Sequence, residues 1–258
     1  MGEKEKKKTV ALSKRMRMLA DMVTAGNDAA DVGCDHAFLS IYLVQTKKCP
    51  RCLAMDVRKG PLSGAREHIV SYGLGEYIET RLSDGLTAYR AGEAKTLICA
   101  GMGGRLMERI LSEGGEKARS FSELILQPQS EIPEFRAFLR KENFLITEES
   151  AVYEEGKYYF AMKAVYKEQV LSAENRESVN EQNPEINMLY DLYGKSLLKG
   201  RHPVLKQYLL YRRNVVDGII IQLQKKDTVK SEKRLKELYL EQEQLRAALE
   251  FFDKEGSR

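Results

Sequence analysis

Asn27-Asp28-Ala29-Ala30-Asp31-Val32-Gly33-Cys34-Asp35-His36-Ala37-Phe38 is the stretch that decides the fold. It reads as a short apolar strand ending at Asp31, a sharp bend at Gly33, and an amphipathic helix from Phe38 to Lys47. Strand, glycine turn and helix together bring backbone N–H groups and a helix N-terminus up to a bound cofactor. One such turn is a weak signal. Here the next two apolar runs also end in acidic tips, at Asp56 and at Ser83-Asp84.

Outward from that turn, strands and helices alternate through residue 142. Residues 9–25 carry Leu12, Met16, Leu19, Ala20 and Val23 at helical spacing. Cys52–Met55, Tyr77–Leu82, Thr96–Ala100 and Leu124–Leu126 read as strands, and 62–72, 106–112 and 133–142 as helices. Such alternation implies a parallel sheet with right-handed crossovers. Phe144–Ile146 and Tyr158–Val165 have no helix between them and read as an antiparallel hairpin at one sheet edge. The expected fold is therefore α/β: a Rossmann-like sheet of seven strands with an antiparallel edge hairpin.

After Tyr166 the composition turns polar, and residues 167–185 read as a linker containing some helix. Ile186–Leu198 reads as one helix. Two long helices follow, with Leu205, Leu209, Arg212, Val216, Ile219 and Leu223 at three-to-four spacing in the first, and Leu235, Leu238, Gln242, Leu245, Leu249 and Phe252 in the second. Asp227 and Thr228 supply the turn between them. This is the pattern of a helical coiled-coil hairpin. The domains expected are a basic leader (1–8), a cofactor domain (9–166), the linker (167–185) and the helical domain (186–258).

The bulk numbers fit a globular chain: 258 residues, 43% hydrophobic and 31% charged. No apolar run approaches the roughly 18–20 residues that a membrane helix needs, and no apolar stretch backs the charged N-terminus, so a cytoplasmic, membrane-free protein is expected. The net charge of +4 is concentrated near the start, with Lys4, Lys6, Lys7, Lys8, Lys14, Arg15 and Arg17 against Glu3 and Glu5. A basic cluster beside a cofactor fold suits a polyanion such as RNA; its simpler reading is a solvated tail. Cys49-Pro50-Arg51-Cys52 lacks a second pair at zinc spacing, so Cys34, Cys49, Cys52 and Cys99 read as plain thiols, with no metal and no disulfide expected.

In an open parallel sheet, ligands sit beyond the C-terminal strand ends. Asp31–Ala37, Asp56, Ser83-Asp84 and Gly101–Gly104 all belong to that edge. Taken singly, each acidic tip is also what a turn or a helix cap supplies. In a row, they suit an adenosine with a charged tail, Asp56 accepting from ribose hydroxyls and Asp84 facing an adenine amino group. Two cofactors compete. A dinucleotide needs Gly-x-Gly-x-x-Gly, but Asp35 stands where the second glycine would make room for pyrophosphate, and an anion repels phosphate. S-adenosyl-L-methionine carries a sulfonium and an ammonium and no phosphate, so acidic tips attract it.

Leu12-Ser13-Lys14-Arg15, Asp31-Val32-Gly33-Cys34-Asp35-His36-Ala37, Ala54-Met55-Asp56-Val57, Ser83-Asp84-Gly85-Leu86, Gly101-Met102-Gly103-Gly104 and Leu126-Gln127-Pro128-Gln129 occur in one order. That order resembles the TrmK family, bacterial methyltransferases acting on N1 of adenosine 22 in tRNA. The resemblance covers residues 9–166; beyond them, only the helical character matches. It implies a class I methyltransferase fold, S-adenosyl-L-methionine as cofactor and tRNA as partner. Carried over, Asp31, Gly33, Asp35 and His36 line the methionine end, Asp56 holds the ribose, Asp84 and Gly85 the adenine side, and Gly101 and Met102 lie beside the methyl and the target base. Asp31, Asp35 and His36 are the candidate catalytic groups, as polar helpers to catalysis by positioning. Arg15, Gly103, Arg105, Gln127 and Gln129 are the expected substrate-side residues. Cys34 and Phe38 depart from the family's usual small residue and tyrosine. Rival readings are a methyltransferase for another RNA or a small molecule, a nicotinamide-dependent oxidoreductase, and a non-catalytic RNA-binding protein. The C-terminal helices are free to dimerise, fold back or grip RNA.

Overall fold

The structure is a computed structural model that describes residues 9–169, 184–225 and 228–253. The lysines of the leader, residues 170–183 of the expected linker, and Lys226 and Asp227 at the expected turn lie outside the described residues. Two compact units, Met1–Glu177 and Ser178–Arg258, divide the chain.

The first unit is built on seven strands: β1 (Ala29–Val32), β2 (Cys52–Asp56), β3 (Ile78–Leu82), β4 (Thr96–Met102), β5 (Glu123–Pro128), β6 (Phe144–Glu154) and β7 (Lys157–Tyr166). Their order across the sheet is β3-β2-β1-β4-β5-β7-β6. The first five pair in parallel, and β7 joins β5 and β6 antiparallel. Strand order reverses between β1 and β4, which places a crevice at the C-terminal end of β1.

Helices cover both faces. They are α1 (Lys14–Met22), α2 (Phe38–Gln45), α3 (Lys59–Ser71), α4 (Gly104–Gly114), α5 (Glu116–Arg119) and α6 (Ile132–Lys141). Successive strand residues serve opposite layers, as the pleat requires. Ala29 and Ile98 join the core with Leu19, Leu39 and Ile41, whereas Ala30 and Leu97 join the core with Met107, Phe121 and Phe135. Each of the Leu, Ile, Met and Phe side chains among these contributes about 1.5–3 kcal/mol on burial. The start of α1 is fixed from outside the helix: Ser13 Oγ accepts from Met16 N, and the Glu154 carboxylate accepts from Lys14 N at 2.6 Å and Arg15 N at 3.1 Å. At the opposite sheet end, buried Glu123 pairs with Lys163 at 2.7 Å and accepts from Thr24 and Thr96 hydroxyls.

The sequence places the edge hairpin correctly but makes β6 too short. Its polar run Thr147–Ser150 stays in the strand because a register shift between Ile146 and Glu148 turns Glu149 inward, where its buried carboxylate meets Arg136 Nε at 2.8 Å. No apolar alternation announces such a strand.

The second unit contains α7 (Pro184–Tyr193), α8 (Lys195–Lys199), α9 (Pro203–Leu223) and α10 (Val229–Asp253). The single helix expected over 186–198 is two, because Gly194 adopts φ +90° and its N–H closes back on Tyr190 O. The helix α10 packs along α9 through buried Leu205, Leu209, Val216, Leu238, Leu245 and Leu249. Ile220, rather than Ile219, is the more deeply buried of that pair. Arg212 reads Glu241 with two bonds of 2.6 and 3.1 Å, and Gln242 donates to Asp217 at 2.7 Å.

Candidate active site

The turn after β1 is held by the neighbouring strand. Gly33 N and Cys34 N both donate to Met55 O, at 2.8 and 3.0 Å. Gly33 has φ +77°, and Asp35 and Ala37 follow at +50° and +58°. Two non-glycine residues in the left-handed region within three positions are costly, and such strain concentrates at functional sites. A Cβ on Gly33 would stand 2.8 Å from the Met102 methyl, so the turn and the end of β4 close on each other there.

Behind this turn lies a cleft of about 550 Å³. It brings together Arg15, Asp31, Gly33, Asp35, Asp56, Asp84, Gly85, Gly101, Met102 and Gln129 from the sequence-derived set. Asp31, the last but one residue of β1, is 4% exposed, and the one hydrogen bond to its carboxylate among the described residues comes from Ser40 Oγ at 2.8 Å. Burial pushes its pKa up to about 6, the Ser40 bond opposes the rise, and the Asp56 charge adds to it. Asp56, also buried, accepts from Arg58 N at 2.8 Å, with Arg58 Nε at 3.7 Å. Asp84 is exposed and is gripped by Arg109 at 2.8 and 3.2 Å, which holds its carboxyl below the usual carboxylate range.

Gly101 carries φ +78° at the register irregularity between β4 and β5. The side chain it lacks leaves room for Arg15, whose Nη1 would be 3.3 Å from a Cβ there. Arg15 donates to Gln127 Oε1 at 3.0 Å and lies over the Tyr159 ring at 5.5 Å. Among the described residues Arg15 forms no side-chain ion pair, whereas Arg58 and Arg109 face carboxylates.

His36, Gly103, Arg105 and Gln127 are not among the residues lining the cleft. The His36 ring is half-exposed and turned toward α3, with ring centroids 5.9 Å from Phe38 and 5.5 Å from His68. Gln127 is fully buried beneath Arg15 and reaches the cleft only through it. Gly103 caps α4 against Ser130, and Arg105 is exposed on the first turn of α4 without an ion pair among the described residues. Sequence reasoning missed Ser40, Val57, Leu106, Arg109 and Ile110. Ser40 and Arg109 act on acidic tips nine and twenty-five residues away, and no local pattern links such positions. Val57 and Leu106 are exposed apolar side chains in the cleft wall, a feature visible only once burial is known. Cys34 lines the cleft, but burial and the Asp31 charge push its thiol pKa up, so it is not a thiolate at neutral pH.

Among the described residues no group of three or more His, Cys, Asp or Glu side chains is arranged to hold a metal ion, and no helix is long and apolar enough to cross a membrane.

A methyltransferase-domain family matches residues 12–162. The tRNA (adenine(22)-N(1))-methyltransferase of Bacillus subtilis is 36% identical over 153 residues, a stretch that is 59% of this chain and 64% of that protein; the chain thus spans a little under two thirds of that relative's length. The crystal structure of the B. subtilis m1A22 tRNA methyltransferase TrmK has a TM-score of 0.74 at 29% identity, over 93% of this chain and 99% of that one. The Streptococcus pneumoniae protein Sp1610 has a TM-score of 0.78 at 30% identity, over 93% of this chain and 100% of that one. It has also been solved in complex with S-adenosyl-L-methionine.

Proposed function

The chain belongs to the methyltransferase-domain family, on its TrmK branch, and from that premise we propose that it transfers a methyl group from S-adenosyl-L-methionine to N1 of adenosine 22 in tRNA. The observation that carries the reading is the charge of the turn after β1. A buried Asp31 carboxylate with, among the described residues, one hydroxyl donor, beside Asp35 in a cleft, is a seat for a cation. Asp35 occupies the place where a dinucleotide fold needs glycine for its phosphates. The residues present therefore fit S-adenosyl-L-methionine, which, when bound, supplies a methyl group activated by an adjacent sulfonium.

The protein's own part is positioning. Asp31 and Asp35 hold the cationic end, Asp56 takes the ribose, and Asp84 with Gly85 takes the base. Gly101 and Met102 form a wall low enough for a purine to approach, and Gln129 borders it. Adenine N1 has a free lone pair and attacks without losing a proton first, so no side chain is needed as a base, and alignment provides the rate. His36, turned toward His68, supports the turn from outside. Arg15, held by Gln127 and without a side-chain ion pair among the described residues, meets the RNA backbone, with Arg105 as a second contact. The target's Watson–Crick edge must be opened first, at a cost of a few kcal/mol. The division into a catalytic domain over 9–166 and a helical domain over 186–258 follows the same reading, the helices adding basic surface for the tRNA.

The test is incubation with S-adenosyl-L-methionine and unmodified tRNA, followed by mass spectrometry of the nucleosides. We expect 1-methyladenosine, lost when adenosine 22 of the transcript is replaced by guanosine and lost in Asp31→Ala. Methyl on another atom, or none while the cofactor binds, overturns the substrate assignment.

A further inference from the structure

The loop after β3 is tied down by its own hydrogen bonds. Ser83 is buried; its Oγ donates to Gly85 O at 2.8 Å and accepts from Ala88 N at 3.1 Å. Asp84 O accepts from both Thr87 N and Thr87 Oγ1, at 3.1 and 2.6 Å. Lys117 Nζ ties Leu86 O and Thr87 O to α5. With the backbone carbonyl engaged, the Asp84 carboxylate is the group left to face the cleft. Arg109, one helix away on α4, grips both of its oxygens and is itself steadied by Glu113 at 3.2 Å. Gly85 makes room for Ile110, one residue on from Arg109, so the same turn of α4 is seated against the same loop.

We propose that Arg109 is a positioning residue for cofactor specificity: through its two-point grip it keeps the Asp84 carboxylate aimed, so that the cleft accepts a base whose edge donates a hydrogen bond and rejects one whose edge only accepts. The proposal rests on reading the cleft as the S-adenosyl-L-methionine site. An acceptor-only carboxylate bonds an exocyclic amino group and finds no donor on a purine that lacks it, whose ring nitrogens present only lone pairs. A guanidinium fork fixes a carboxylate in one plane, which an ammonium does not do. The pair is exposed, so its contribution is modest; its worth lies in orientation.

The experiment is calorimetric titration of the full chain with S-adenosyl-L-homocysteine and with its 6-deamino analogue, in which the adenine amino group is replaced by hydrogen so that the base edge only accepts. The wild-type protein should prefer the amino form by about ten- to a hundredfold, as loss of a charge-assisted bond predicts. Asp84→Asn should erase the preference, because its amide bonds either base. Arg109→Ala should cut it to a few-fold by weakening the amino form, with an unchanged tRNA KM and a raised cofactor KM, and Arg109→Lys should restore only part of it. An unchanged preference in Arg109→Ala overturns the proposal, as does an unchanged preference in Asp84→Asn. Tighter binding by Arg109→Ala also overturns it, since Arg109 would then be competing with the base. Failure of the wild-type protein to bind S-adenosyl-L-homocysteine at all overturns the methyltransferase reading with it.

Discussion

Asp31 illustrates what a single side chain is made to bear. Its ordinary pKa of 3.8 rises to about 6 in the fold because water is excluded, the Asp56 charge adding to the rise and the Ser40 bond opposing it. The folded protein thus binds this proton more tightly than the unfolded chain, and stability falls as pH rises between roughly 4 and 6, by about 3 kcal/mol in all. Above pH 6 the folded protein holds a buried charge that a cation can relieve. Asp31→Asn is therefore expected to raise the thermal midpoint of the ligand-free protein at pH 7.5 by several degrees while weakening S-adenosyl-L-methionine binding. Scanning calorimetry and titration calorimetry check the two halves. In the wild-type protein the cofactor affinity should fall as pH drops through about 6, and in Asp31→Asn the profile should flatten. A lower midpoint in the variant would mean that Asp31 is stabilised by partners beyond Ser40.

At the scale of elements, the placement of α4 matters most, because it carries Leu106, Arg109 and Ile110 into the cleft. Its N-terminus is fitted to the turn after β5 with no space to spare. A Cβ on Gly104 would lie 2.7 Å from Ser130 O and 3.1 Å from Glu131 O, both backbone atoms, while Gly104 N donates to Ser130 O. Neither neighbour can rotate away. Gly104→Ala should therefore cost about 1–3 kcal/mol in chemical denaturation and lower methyl transfer. At Gly103 the nearest atom to a Cβ is the Ser130 hydroxyl, which can turn, so Gly103→Ala should be milder. Equal effects would show that α4 adjusts as a rigid body.

For the whole molecule, the two units have separate cores, and this predicts separable stability. Leu245 is fully buried in the helical unit. Leu245→Ala should cost that unit about 2–5 kcal/mol, seen as a lowered denaturation transition, and leave the cofactor affinity of the first unit unchanged. A concerted shift of both would argue against independent units. tRNA affinity should fall linearly on a log–log plot against salt, because phosphate neutralisation releases counterions, and Arg15→Ala should lessen the slope by about 1. An unaltered slope would remove Arg15 from the phosphate contacts.

The strand–turn–helix at 27–38 and the acidic tips at Asp56 and Asp84 are legible from sequence because each is local: a glycine where the chain bends, an apolar run before it, a charge where the run ends. Periodicity likewise reveals Leu205, Leu209, Leu238 and Leu245 on the helical seam, since their burial follows from spacing along one helix. Tertiary structure alone decides what surrounds those charges. Glu149 is a strand residue only because Arg136 waits for it inside, and Gln127 serves the cleft only through Arg15. His36, adjacent in sequence to Asp35, keeps its ring 3.8 Å from the Asp35 carboxylate and against His68 of α3, outside the cleft lining. Arg109 reaches Asp84 across twenty-five residues. Covalent neighbours constrain direction, so sequence determines where a chain turns and where its charges fall. Desolvation and pairing depend on residues brought close by folding, so which charges are buried, bound or left free for a ligand is settled in three dimensions.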